Sequence, residues 1–428
     1  MKDQPELITL DSGLRVLCDF MPERESVAVG VWVKTGSRYE NRSLQGISHF
    51  LEHMVFKGTR KRSARQISQA IEGRGGTLNG FTTEEFTCYW ARVRAVQLSR
   101  TLEVLFDLVL HPRLERKQFE KEKGVIKEEI RMYRDNPSSH VQHLLQETMW
   151  PRQGLGRSIL GSEKTIDAMK REDMDRYRRL RYRIDRMAVI ACGNVRMETL
   201  IRDVIDLSPA TRKKKKTSFP PARYNRGDNP VRLEDRPTEQ VHLSLGLEGL
   251  PRAHRRKYEL SLLNVILGAN MSSRLFQEIR EKRGWVYSVR SALEFYEDTG
   301  AVLIGAGLLP SRLESSLGLI CRQMNKLRRL PPSRRELQRA KEYYLGQFAL
   351  SSEQTTTRMI RRGDNLLGAD KVVAADEVVK KIQRITPENI RKIAGKIFRP
   401  GKLCLAVVGP LPPGLPVSKI TELLHRDE

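Results

Sequence analysis

Hydrophobic and polar positions follow two periods along this chain. Residues 26–35 alternate, are rich in valine and stop at Gly36, the period-two pattern of a core strand. Residues 7–19 predict two shorter strands around the turn Asp11-Ser12-Gly13. The apolar run 46–56 has helical spacing. A second helix opens on Ser63, puts Ile67, Ala70 and Ile71 on one face, and ends at Gly73, Gly75 and Gly76. Strand patterns return at 77–81 and 86–93, and an amphipathic helix over 97–110 is stopped by Pro112. A long charged helix over 115–134 ends at Asp135-Asn136-Pro137. Helices follow near 138–149 and 164–179, and a strand at 187–192 closes the series at Gly193-Asn194.

Residues 208–221 interrupt the pattern with a polar, basic segment bounded by Pro209 and Pro220-Pro221, which reads as a linker carrying Lys213 to Lys216 as a solvated run. Beyond it the order repeats. The strand 241–247 ends at Gly249 as the earlier one ends at Gly36. The helix 275–279 with Arg283-Gly284 matches Ile67 to Ile71 with Gly75-Gly76. The charged helix 337–347 matches 119–129, and the strand 403–408 with Gly409 matches 187–192 with Gly193. The offset drifts only between about 208 and 218 residues, as small loop insertions in a duplicated domain produce. The expected fold class is therefore α+β: two similar domains, 1–207 and 223–428, joined by a linker over 208–222, each a mostly antiparallel or mixed sheet packed with helices.

Composition narrows the function. At 428 residues with 39% hydrophobic content the chain is long enough for two cores. A mean hydropathy of −0.49 and the lack of a long apolar run predict no membrane span. The N-terminal Met1-Lys2-Asp3-Gln4-Pro5-Glu6 carries no signal-peptide core. The five cysteines (Cys18, Cys88, Cys192, Cys321, Cys404) are scattered through apolar strand-like runs, so reduced thiols and a cytoplasmic location are expected. The net charge of +25 attracts polyanions, which makes a polyanion-binding protein one alternative reading. Against a nucleic-acid site stand an aromatic content of only 6% and the lack of an RNA-binding signature, zinc finger or glycine-rich phosphate loop.

The chemistry concentrates in His49-Phe50-Leu51-Glu52-His53. On a helix, positions 49 and 53 lie one turn apart on one face, so two imidazoles can share a metal ion. Glu52 sits at the edge of that face, within reach of a metal-bound water, which is the inverted form of the zinc-peptidase helix motif. The second half has only a plain apolar helix at 260–268 in the corresponding place, so one metal site per chain is expected. Two histidines leave a catalytic zinc one protein ligand short. His140 and His143 are three apart and could form a site of their own, but they follow a proline break and carry no paired glutamate, so the charged helix is the better source. Its Glu122 and Glu129 are seven apart and share a face, with Val125-Ile126 between them to pack it down.

The block Gly46-Ile47-Ser48-His49-Phe50-Leu51-Glu52-His53-Met54-Val55-Phe56-Lys57-Gly58-Thr59 closely resembles the pitrilysin and insulin-degrading-enzyme family of zinc peptidases, which includes the mitochondrial processing peptidase; its half-length bacterial members are the nearest match. Three further blocks fall in the same order: Gly75 to Thr82 with Glu85, Thr87 and Tyr89; Val125 to Ile130 with Asp135 and Pro137; and Ser273 to Val289. The segment 155–161 matches too, with Gly154 and Ser158 where a proline-containing variant is frequent. The resemblance implies Zn²⁺ held by His49, His53 and Glu129, with Glu128 facing elsewhere and Glu122 orienting the ligands from behind. It implies Glu52 as the base that activates water, and Arg280 and Tyr287 as contacts to a bound peptide. Tyr287 falls in the repeat where Asn79 falls in the first half. Leu78-Asn79-Gly80-Phe81 reads as an exposed edge strand able to pair with an extended peptide. Half-length members of the family pair two chains, so a homodimer is implied, with Arg280 and Tyr287 reaching the partner's site. The expected activity is zinc-dependent endopeptidase action on extended peptides. The alternative within the family is a non-catalytic scaffold or assembly relative.

Overall fold

The computed structural model describes residues 5–209, 218–225, 230–399 and 401–411, with Ser418, Ile420 and Glu422. Among the described residues eleven strands form two sheets: β1 (Glu6–Thr9), β2 (Arg15–Phe20), β3 (Ser26–Val33), β4 (Thr77–Thr82), β5 (Thr87–Arg94) and β6 (Met187–Gly193) in the first, and β7 (Val231–Asp235), β8 (Val241–Glu248), β9 (Val286–Phe295), β10 (Gly300–Leu308) and β11 (Cys404–Gly409) in the second. The first sheet runs β1-β2-β6-β3-β5-β4 and the second β7-β11-β8-β10-β9. In the first, β2 and β6 pair parallel and every other neighbour is antiparallel. In the second, β7 and β11 take the parallel pairing and the rest are antiparallel. Read from the parallel pair outward, the two sheets have one topology, with β1 as an added edge strand on the first. The duplication expected from the repeat is thus present strand for strand.

The compact units do not follow the contiguous halves expected from the linker. One comprises Met1–Arg131, Ser158–Pro220 and Ala349–Ala375; the other comprises Met132–Arg157, Pro221–Phe348 and Asp376–Glu428. Each sheet is therefore covered partly by a helix drawn from the other half of the chain. Helix Thr355–Ala369 packs against β3 and β6, and helix Pro137–Met149 packs against β8 and β11. In the first unit Met359, Leu366 and Leu367 join Trp32, Cys88 and Ile190 in one buried cluster. A Cβ added at Gly363 would lie 2.2 Å from the Trp32 ring, so the helix reaches its seat only because that side chain is hydrogen. Arg358 and Arg362 from the same helix clamp Asp19 of β2 at 2.7 and 2.6 Å.

Most of the linker, 210–217, lies outside the described residues. Its end is not a free tether: the Phe219 ring packs 5.0 Å from Tyr39 and lies under the Arg38 guanidinium at 3.7 Å. The helix expected over 164–179 is two, Glu163–Ala168 and Arg171–Arg181. Met169 and Lys170 are extended between them, and the second start is fixed by the Lys170 amide donating to the Asp173 carboxylate at 3.2 Å. All five cysteines are buried and unpaired. Among the described residues no helix is long and apolar enough to cross a membrane.

Candidate active site

The motif helix spans Ile47–Val55. Its first turn leaves amides without intrahelical partners, and the buried Glu40 carboxylate accepts from two of them, Gly46 and Ser48, each at 2.8 Å. A carboxylate there also complements the positive end of the helix dipole. The Ser48 hydroxyl bonds Tyr177 at 2.8 Å, and Tyr177 bonds Thr35 at 3.0 Å. Phe50 stacks on Phe119 with centroids 4.7 Å apart and the rings 17° from coplanar, which fixes the motif helix against the long helix Arg116–Asp135. Phe119, Glu122 and Ile126 are that helix's buried stripe. Ile126 packs as expected from the sequence, but Val125 is 45% exposed and takes no part in seating the helix.

These two helices bring His49, His53 and Glu129 together, each offering one ligand atom within 4.8 Å of the others. The Nε2 atoms of His49 and His53 lie 3.7 and 3.8 Å from the same Glu129 oxygen. Those gaps are too long for hydrogen bonds and close to the edge of a zinc coordination tetrahedron, about 3.4 Å for bonds near 2.1 Å. Behind them His53 Nδ1 donates to Glu122 at 2.9 Å, and Lys57 holds the other Glu122 oxygen at 2.8 Å. That bond leaves His53 Nε2 with its lone pair toward the cluster, the usual backing of a metal-bound histidine. Burial, joined by the neighbouring His53, pushes His49 down to about 3, so it presents a neutral imidazole. Burial also opposes the charged form of His53, but the Glu122 bond and the surrounding carboxylates outweigh it and raise its pKa. Glu129 is raised by burial. Glu122 is lowered despite burial, because His53 and Lys57 bond its charged form. The donor set and spacing fit a zinc ion.

Glu128 points away and pairs with Arg131. His140 and His143 are not part of the cluster. They belong to the second compact unit, where His140 bonds Glu234 at 2.8 Å and His143 lies 3.3 Å from Glu147. Among the described residues the His49, His53 and Glu129 group is the one set of three or more such side chains able to share a metal.

Glu52 is buried beside the cluster, and one of its oxygens accepts from Thr82 at 2.7 Å. Burial raises its pKa, and the Thr82 bond moderates that rise. Thr82 lies on β4 two residues from Gly80, so both face the motif helix. A Cβ at Gly80 would lie 3.2 Å from the other Glu52 oxygen and 3.1 Å from the Phe56 ring, so the glycine keeps this approach open. Leu78, Asn79, Gly80 and Phe81 all lie on β4, which is the terminal strand of its sheet beside β5. Tyr287 lies on β9, the terminal strand at the equivalent place in the second sheet, and is 57% exposed. Arg280 belongs to a π-helical turn, Phe276–Glu281, which replaces the α-helix expected at 275–279, and its guanidinium sits 4.9 Å over the Phe276 ring.

Three contributors were not singled out from sequence: Thr82, Lys57 and Glu40. Thr82 had a signal, being two residues from Gly80 on a strand face. Lys57 and Glu40 act across loops, and no local spacing marks them.

Residues 15–163 match the family model described as insulinase, peptidase family M16, and residues 168–344 match the model described as the peptidase M16 inactive domain. The chain is 36% identical over 402 residues to the uncharacterized zinc protease YmxG of Bacillus subtilis, covering 94% of this chain and 97% of that relative. It belongs to peptidase family M16. An uncharacterized zinc protease of Streptomyces coelicolor is likewise 36% identical, with 94% of this chain and 89% of the relative covered. The M16 fold is seen again in the crystal structure of a protease from Helicobacter pylori, at a TM-score of 0.89 and 20% identity, covering 96% of this chain and all of that one.

Proposed function

We propose that this M16 chain is a zinc-dependent endopeptidase acting on extended peptides or unfolded segments. One observation carries the reading: three converging donors with no hydrogen bond among them, and beside them a buried carboxylate oriented by the terminal strand of the sheet. His49, His53 and Glu129 would hold one Zn²⁺ per chain, with Glu122 fixing His53. The ion would supply Lewis acidity and lower the pKa of a bound water. Glu52 would take a proton from the attacking water as the water oxygen bonds to the peptide carbonyl carbon, and would return that proton to the amine nitrogen as the C–N bond breaks. Thr82 keeps the carboxylate aimed throughout. The peptide backbone pairs along β4 through Leu78, Asn79, Gly80 and Phe81, which orients the scissile bond with little side-chain selection. Arg280 and Tyr287 bind the peptide from the second half, and a homodimer in which they reach the partner's site completes the enclosure. A cytoplasmic location fits the reduced thiols.

The test is a cleavage profile on an unstructured peptide library, read by mass spectrometry. Cleavage should vanish on chelation and return with about one equivalent of Zn²⁺ per chain. Full zinc occupancy without cleavage of any library member would favour the non-catalytic scaffold.

A further inference from the structure

The first unit holds a cleft of about 510 Å³ apart from the His49, His53 and Glu129 group, lined by Lys61, Arg62, Gln66, Gln69, Arg74 and Arg100, with Ala70. Its four charged side chains are all cations. Arg62 is occupied, bonding Asp107 at 2.6 Å and lying 3.7 Å from Glu103. Lys61, Arg74 and Arg100 have no ion pair among the described residues, and all three are exposed. No aromatic ring lines the cleft, so it offers nothing for a nucleobase to stack on. Forked guanidinium and amide donors suit carboxylates.

The position of the cleft says what would bring those carboxylates. Arg74 lies three residues before β4 begins, Gln66, Gln69 and Ala70 belong to the helix Ala64–Ile71 that leads into it, and Arg100 follows β5, whose Arg92 pairs with Thr77 at the start of β4. A peptide paired with β4 and cut opposite Gly80 would pass Thr77 about 10 Å away, at roughly 3.3 Å per residue. Its next residues would reach the end of the cleft that Arg74 and Arg100 form. We propose that this cleft binds acidic side chains of the peptide, roughly three to six residues to one side of the cleaved bond. The enzyme thereby selects peptides carrying a cluster of Glu or Asp there. The inference rests on the peptidase reading above. It would add a side-chain preference that backbone pairing on β4 does not supply.

The experiment uses the zinc-loaded full chain and three matched peptides that carry Glu, Gln or Lys triplets on either flank of one cleavable core. The Glu triplet on one flank should raise kcat/KM about tenfold over Gln, mainly through KM, and the gain should shrink as salt rises. R74E with R100E should abolish the gain, leave the Gln peptide within about twofold of wild type, and shift the preference to the Lys peptide. Equal kcat/KM for the three peptides in the wild-type chain, or an equal loss on all three in the variant, would overturn the proposal. Fluorescence anisotropy on the same zinc-loaded protein separates this from failure of the peptidase reading. Tighter binding of the Glu peptide, lost in the variant, upholds the cleft even if no peptide is cut; equal binding of all three rejects it.

Discussion

At the scale of single residues, the site divides into groups that hold and groups that act. His53 is fixed by Glu122, which is itself fixed by Lys57, so Glu122→Gln should weaken zinc binding about 10- to 100-fold, read by competition with a chromogenic chelator. Thr82 touches Glu52 and none of the three converging ligands. Thr82→Val should therefore lower kcat while leaving zinc stoichiometry and KM close to wild type. If zinc is lost along with activity, Thr82 supports the ligand cluster and not the base. Asp19 shows the opposite kind of residue, one that serves only the fold. It is the carboxylate that both Arg358 and Arg362 bind, and these bonds lower its pKa against the effect of burial. Asp19→Ala would leave two buried guanidinium groups without it and should cost about 3–5 kcal/mol in urea unfolding. Because the folded-state pKa lies below the unfolded value near 3.9, the cluster stabilises fully above about pH 4. That contribution is lost as pH falls through the lowered folded-state pKa, and D19A should flatten this acid dependence.

At the scale of elements, β4 and the helix Thr355–Ala369 each depend on one missing side chain. Gly80→Ala would press a methyl against Glu52 and the Phe56 ring, so kcat should fall with zinc retained. Gly363→Ala places a methyl 2.2 Å from a Trp32 ring carbon, which neither the helix nor β3 can absorb without moving. It should destabilise by about 1–3 kcal/mol, or more, in thermal unfolding. The motif helix was legible because its chemistry is local: His49, Glu52 and His53 are spaced by helical geometry alone. Glu129 was not legible in that way. Spacing left Glu122, Glu129, His140 and His143 in play, and the resemblance to a family separated them. The seating of the long helix by Phe119 and Phe50 depends on stacking between distant segments, which no period along one element reveals. The π-helical turn at Phe276–Glu281 has the same hydrophobic signature as the short α-helix expected there.

At the scale of the molecule, the repeat predicted two copies of one domain, and the matching strand orders bear that out. The composition of the compact units was hidden. Helices Pro137–Met149 and Thr355–Ala369 are amphipathic, and an apolar stripe states that a helix is buried but not against which sheet. The basic linker drew the boundary at the one place where composition changes, whereas packing divides the chain at Arg131, Arg157, Phe348 and Ala375 as well. The duplication also leaves an asymmetry: of two equivalent terminal strands, β4 and β9, the first has the converging His49, His53 and Glu129 donors beside it, the one such group among the described residues.

Glu52 is the proposed proton carrier, beside a zinc ion it would not bind. The most direct test compares wild type with Glu52→Gln for zinc per chain and for peptide cleavage in the same preparations. The predicted result is one zinc per chain in both, with cleavage by E52Q lower by a factor of about 10³ or more. Cleavage by E52Q within tenfold of wild type at full zinc occupancy would contradict the mechanism.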